Sequence, residues 1–72
     1  MIVVTGASKG IGEHICNRLL DKGFKVVGLA RTVKKKRYKM IGCDVSSTDS
    51  IDDAIKEIKK LGKVSGLINA AG

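Results

Sequence analysis

Thr5-Gly6-Ala7-Ser8-Lys9-Gly10-Ile11-Gly12 sets three glycines at G-x-x-x-G-x-G spacing, between a short apolar run and an amphipathic stretch. Glycines at a strand-to-helix turn let the backbone approach a diphosphate closely, and the unpaired N–H groups of the helix that follows point at the anion. The chemistry on offer is anion binding by backbone amides. This spacing differs from the more general G-x-G-x-x-G fingerprint. A P-loop is excluded, because Gly12 is followed by Glu13 and His14 rather than by Lys and Ser or Thr.

A second concentration of functional groups is the basic segment Arg31, Lys34, Lys35, Lys36, Arg37 and Lys39, which supplies much of the net charge of +7. It reads either as a phosphate-binding loop or as a solvated loop, and for the lysines the solvated reading is favoured. A nucleic-acid-binding role is not expected: Tyr38 is the only aromatic near the cluster, too little for a base-stacking surface. His14 reads as a helix-surface residue, and Asp52, Asp53 and Glu57 as one solvated helix face rather than an acid/base pair. Cys16 and Cys43 lie far from any C-x-x-C spacing and are flanked by apolar residues. Two buried thiols are therefore expected rather than a bridge, and no metal site.

The elements that must position these groups follow from periodicity. Ile2-Val3-Val4-Thr5 is a β-branched run without alternation, the pattern of a strand covered on both faces. Ile11, Ile15, Cys16, Leu19 and Leu20 form a helical stripe closed by Lys22 and Gly23, a helix of about three turns. Lys25 to Ala30 reads as a second strand and Tyr38 to Cys43 as a third. Ser46 to Ser50 offer N-caps to a helix carrying Ile51, Ala54, Ile55, Ile58 and Leu61, which Gly62 closes. Val64 to Ile68 reads as a fourth strand. Buried-type strands interleaved with helices mean parallel pairing. The expected fold is α/β: a partial doubly wound, Rossmann-type parallel sheet in the order 3-2-1-4, with two main helices. Only Arg31 to Arg37 separate the second and third strands, fewer than the dozen or so residues of an ordinary crossover, so the helix expected there is missing or cut to a turn.

A chain of 72 residues falls below the usual domain size of about 100–150 and supports a thin core. No basic n-region precedes Ile2, and no run approaches the roughly 18 apolar residues of a membrane span. A cytoplasmic protein is expected, with no membrane association. The fourth strand is expected to be an exposed edge, which favours self-association.

With these motifs in place, the chain resembles the short-chain dehydrogenase/reductase family. Thr5 to Gly12 matches that family's T-G-x-x-x-G-x-G, Asp44-Val45 its D-V after the third strand, and Asn69-Ala70-Ala71-Gly72 its N-N-A-G with alanine in the second place. The resemblance covers residues 1–72 as the N-terminal dinucleotide-binding half. It implies that Gly6, Gly10 and Gly12 shape the pyrophosphate turn and that Ser8 and Ile11 contact phosphates and ribose. Asp44, with Val45 beside it, would receive the adenine amino group, and Asn69, Ala70 and Gly72 would support the cofactor and the central strand. The alanine at position 70 leaves side-chain contacts there in question.

Cofactor choice follows from charge. A carboxylate about 20 residues beyond the fingerprint would hold the ribose 2′-hydroxyl of NAD, whereas a cation there accommodates the 2′-phosphate of NADP. Arg31 stands at the end of the second strand, and no acid occurs between Asp21 and Asp44. A guanidinium binds a phosphate bidentately, so NADP(H) is favoured over NAD(H). Lys9 adds to this by resemblance, since family members with NADP preference often carry a basic residue within the turn; Thr32 and one of Lys34 to Lys36 are further candidates. The resemblance implies an oxidoreductase acting on a small carbonyl or alcohol substrate, with a 3-oxoacyl reductase as one guess by analogy. The family's catalytic serine, tyrosine and lysine lie beyond the fourth strand, so no catalytic residue is expected within these residues, and Tyr38-Lys39 does not have the spacing to replace them. The alternative is a non-catalytic nucleotide-binding or assembly module.

Overall fold

In the computed structural model, which describes residues 1–70, the apolar runs pair as four parallel strands. The elements in chain order are β1 (Ile2–Thr5), α1 (Gly10–Asp21), β2 (Val26–Ala30), β3 (Lys39–Gly42), α2 (Thr48–Leu61) and β4 (Gly66–Asn69). They form one sheet in the order β3-β2-β1-β4, as the sequence pattern requires. The chain steps from β1 to β2 in one direction across the sheet and from β3 to β4 in the other. Crossovers of the same right hand therefore place α1 and α2 on opposite faces.

Alternation along the strands divides the core accordingly. Val4, Val26, Ala30 and Met40 face α1 with Cys16, Ile15, Leu19 and Leu20; Val3, Val27, Ile41 and Cys43 face α2 with Ala54, Ile51, Ile58 and Leu61. Cys16 and Cys43, both buried and unbridged, lie on opposite sides of the sheet, which rules out a bridge between them in this fold. Ile11 departs from the expected stripe: it is 73% exposed. Being one residue into α1, it sits beside the mouth of the turn rather than above the strands.

Strand ends shift for a register reason. The fourth strand starts at Gly66 rather than Val64 because its partner β1 starts at Ile2, which is paired with Gly66. Ahead of that point Lys63 and Ser65 are taken up by the N-terminus: the Met1 ammonium donates to the Lys63 carbonyl at 3.0 Å, and the Ser65 N–H donates to the Met1 carbonyl at 2.8 Å. At the start of α2, the Ser47 hydroxyl accepts from the Ser50 N–H at 3.3 Å, an N-cap supplied from within the expected Ser46 to Ser50 cluster.

The link from β2 to β3, residues 31–38, contains no helix. Length explains this. The link must return along a strand of about 17 Å and cross to its neighbour; eight extended residues reach roughly 26 Å, whereas a helix of eight would reach only about 12 Å. Two ion pairs hold the extended link against α1: Lys36 with Glu13, and Arg37 Nη2 with Asp21 Oδ1 at 2.9 Å. Tyr38, only 6% exposed, turns inward between them and the sheet.

Room for that ring comes from Gly28 in β2. A Cβ added there would lie 2.6 Å from the Ala7 Cβ, 2.6 Å from the Met40 Sδ and 3.1 Å from the Tyr38 Cε2. Met40 has a flexible end that can yield; Ala7 does not. Gly28→Ala is therefore expected to destabilise the protein by about 1–3 kcal/mol through overpacking, read as a lower urea midpoint with an unchanged m-value. A midpoint equal to that of the unmutated protein would refute this account of the packing.

Candidate functional site

The glycine turn brings backbone against backbone. Gly6 and Gly10 have φ of 64° and 61°, the left-handed region where side chains are strained. Gly12 is required for a different reason: a Cβ there would stand 2.0 Å from the Gly6 carbonyl oxygen. The first turn of α1 thus packs directly on the turn that precedes it. Lys9, extended at the N-cap position, offers no side-chain hydrogen bond to the helix. The first N–H groups of α1 accordingly lack the side-chain oxygen that usually satisfies them, and they carry the positive end of the helix dipole.

In front of this turn, at the carboxyl ends of the strands, lies a cleft of about 670 Å³. Thr5, Gly6, Ser8 and Lys9 form its wall on the β1 side, and Cys43 and Val45 its wall on the β3 side. From β2 and its link come Ala30, Arg31, Thr32 and Lys34. Parallel open sheets bind ligands in this position, outside the carboxyl ends of the strands near the point where strand order reverses. That reversal lies between β1 and β4, where the Thr5 hydroxyl donates to Asn69 Oδ1 at 2.8 Å.

Of the residues singled out in the sequence, Gly6, Ser8, Lys9, Arg31 and Val45 line the cleft together. Gly10, Ile11 and Gly12 begin α1 immediately behind the turn. Asn69 ends β4, and Ala70 packs against the α1-side core. Gly72 lies outside the described residues. Asp44 stands between the lining residues Cys43 and Val45, and its own carboxylate Oδ1 accepts from the Ser46 hydroxyl at 2.7 Å and the Ser46 N–H at 3.0 Å. Those two hydrogen bonds, with a smaller contribution from the Arg31 charge, hold its pKa below the ordinary carboxylate value.

The basic run is sorted by the fold rather than uniformly solvated. Lys34 reaches the cleft, Lys36 and Arg37 pair with acids of α1, and Lys35 faces the α1 flank beside them. Sequence reasoning missed Tyr38, whose hydroxyl donates to the Ala7 carbonyl inside the turn at 2.6 Å. A lone aromatic among cations, two positions before the buried Met40, was the available signal for an inward-facing side chain. Burial pushes its phenol pKa up to about 12, with additional upward pressure from Cys16 and Glu13. Among the described residues no group of three or more His, Cys, Asp or Glu could hold a metal ion, and no helix is long and apolar enough to cross a membrane.

The arrangement suits an anionic ligand: a glycine at position 12 where a Cβ would collide with the backbone of the turn, helix amides without a side-chain cap, and a cleft with cations beside the turn. A family described as short chain dehydrogenase matches residues 1–72. The chain belongs to the short-chain dehydrogenase family. It is 42% identical to a farnesol dehydrogenase of Aedes aegypti, over 97% of this chain and 34% of that protein. It is 37% identical to an NADPH-dependent 3-dehydrocapnine reductase of Ornithobacterium rhinotracheale, over 97% of this chain and 29% of that protein. The fold superposes on the ligand-free aldohexose dehydrogenase of Thermoplasma acidophilum with a TM-score of 0.87 and 40% identity, covering 99% of this chain and 29% of that one. The chain thus spans about a third of the length of the curated relatives it matches. These relatives are oxidoreductases, and the family as a whole is enzymatic.

The raised phenol pKa has a consequence for stability. In the unfolded chain Tyr38 ionises near 10, in the folded chain only near 12, so above pH 10 the unfolded state loses its proton first. The contribution of Tyr38 to stability is fully present below pH 10 and lost as pH rises toward 12. Urea midpoints measured from pH 9 to 11.5 are expected to fall more steeply for the unmutated protein than for Tyr38→Phe. Parallel curves would refute the assignment.

Proposed function

We propose that residues 1–72 form the cofactor-binding half of an oxidoreductase that uses NADP(H) and acts on a carbonyl or alcohol carbon. The observation that carries this reading is the charge of the cleft: Lys9, Arg31 and Lys34 line it and no carboxylate does, among the described residues. A 2′-phosphate is thereby favoured over a free ribose 2′-hydroxyl, which a carboxylate at the end of the second strand would bind. The NADPH dependence named for the Ornithobacterium relative is in keeping with this choice.

Each element has a distinct task in this reading. Gly6, Gly10 and Gly12 shape the turn, and the Ser8 amide with the first amides of α1 holds the diphosphate. Arg31, whose guanidinium can bind a phosphate bidentately, would hold the 2′-phosphate, while Lys9 and Lys34 add positive charge. Asp44 and Val45 bound the adenine end. Ile11, exposed at the head of α1, gives the cofactor an apolar surface to cover, and the Thr5–Asn69 hydrogen bond ties β4 to β1 beside the cleft. When bound, the nicotinamide supplies or takes up a hydride. The residues in hand hold and orient it; the groups that would handle the substrate proton are not among them. Two thiols buried in an apolar core suit the reducing interior of a cell, and a cytoplasmic location is part of the proposal.

Fluorescence titration of the intact protein with NADPH and NADH tests the assignment. NADPH is expected to bind more tightly, and Arg31→Glu to weaken NADPH by about 10- to 100-fold, as loss of a charge-assisted pair to phosphate implies, reversing the preference. Equal affinity for both cofactors in the unmutated protein would remove the 2′-phosphate site.

A further inference from the structure

We infer that Tyr38 is a positioning residue of the phosphate-binding turn: by holding the Ala7 carbonyl inside the core, its hydroxyl turns the Ser8 amide toward the cleft. The inference rests on the dinucleotide reading above and adds to it a residue outside the glycine motif. Ala7 is fully buried and tied at both of its backbone groups. Its N–H donates to the Leu29 carbonyl of β2 at 3.2 Å, and its carbonyl accepts from Tyr38 Oη at 2.6 Å.

Peptide planarity carries the effect one residue onward. In a trans peptide the carbonyl of one residue and the N–H of the next point in opposite directions, and no peptide in the described chain is cis. An Ala7 carbonyl directed at the core therefore sends the Ser8 N–H outward, and Ser8 lines the cleft. Were the plane to rotate, the turn would present a carbonyl oxygen to an anion in place of a donor.

The surroundings are built to keep the phenol in place. The extended link carries Tyr38 over the flank of α1, with its two predecessors, Lys36 and Arg37, paired to Glu13 and Asp21. The missing Cβ at Gly28 admits the ring over the sheet. The hydroxyl stays protonated throughout the physiological range, so the donor is always available.

Tyr38→Phe keeps the ring and removes the hydroxyl, losing its donation to the Ala7 carbonyl together with its hydrogen bond with the Cys16 thiol. In the intact protein this variant is expected to bind NADPH and NADH each about five- to tenfold more weakly, with the ratio of the two affinities unchanged, because both share the diphosphate. Arg31→Glu, by contrast, changes the ratio. In ¹⁵N-resolved spectra of the nucleotide-free protein, Tyr38→Phe is expected to shift the Ser8 amide resonance while amides of α2 stay in place. A variant that melts earlier but binds both cofactors with unaltered affinity makes Tyr38 a packing residue only and overturns the inference, as does an unmoved Ser8 resonance. If the unmutated protein binds neither cofactor, the dinucleotide reading falls and the positioning role with it. If it binds both and Tyr38→Phe binds them equally well, the reading stands and this inference alone fails.

Discussion

Close approach at two glycines, where an added Cβ has no room, is the constraint from which the rest of this structure follows. The turn from Gly6 to Gly12 is pressed between the head of α1 and the face of β2, and at two points a single added carbon would collide: at Gly12 with the Gly6 carbonyl, and at Gly28 with Ala7. That contact fixes where α1 begins, and therefore where its unpaired amides sit, at the carboxyl edge of the sheet rather than above it. Close approach also lets α1 cover the sheet with medium-sized side chains, Ile15, Cys16, Leu19 and Leu20, in a protein short of aromatic residues.

The brief connection between β2 and β3 compounds this economy. A crossover helix would cover the α1 flank of these strands with its own apolar stripe; here a few residues of an extended link do so. Tyr38 supplies the buried area and the hydrogen bond, and the ion pairs of Lys36 and Arg37 guide its approach. The Arg37–Asp21 pair is exposed and adds little to stability. Positions on the same short segment diverge, Lys34 to the cleft and Tyr38 to the core.

Much of this was legible in the residues. Periodicity and capping identified every element, and the missing crossover helix could be read from seven intervening residues alone, because a strand's length sets how far the chain must travel back. Ends were harder. The displacement of β4 to Gly66 depends on which β1 residue it pairs with and on hydrogen bonds from Met1, contacts more than sixty residues apart in sequence that no local window contains. The same limitation explains Ile11 and Tyr38. Ile11 obeys the helical stripe yet sits beyond the sheet, while Tyr38 lies in a run of charge that reads as solvated and is nonetheless buried. In both cases tertiary placement overrode a correct local pattern.

On the proposed reading, affinity and cofactor choice reside on different elements. The turn amides meet the diphosphate common to both nicotinamide dinucleotides, and their geometry is set from within the core by Leu29 and Tyr38. The groups that distinguish one cofactor from the other, Arg31 and Lys34, sit on the link, with solvent-exposed side chains and no buried packing to disturb. A substitution at Arg31 or Lys34 therefore alters selectivity with little effect on folding, whereas one in the turn or beneath it disturbs binding and packing together. Such a division makes the charge at the end of the second strand the freer of the two variables: it can change sign without asking the glycine turn, or anything it rests on, to move.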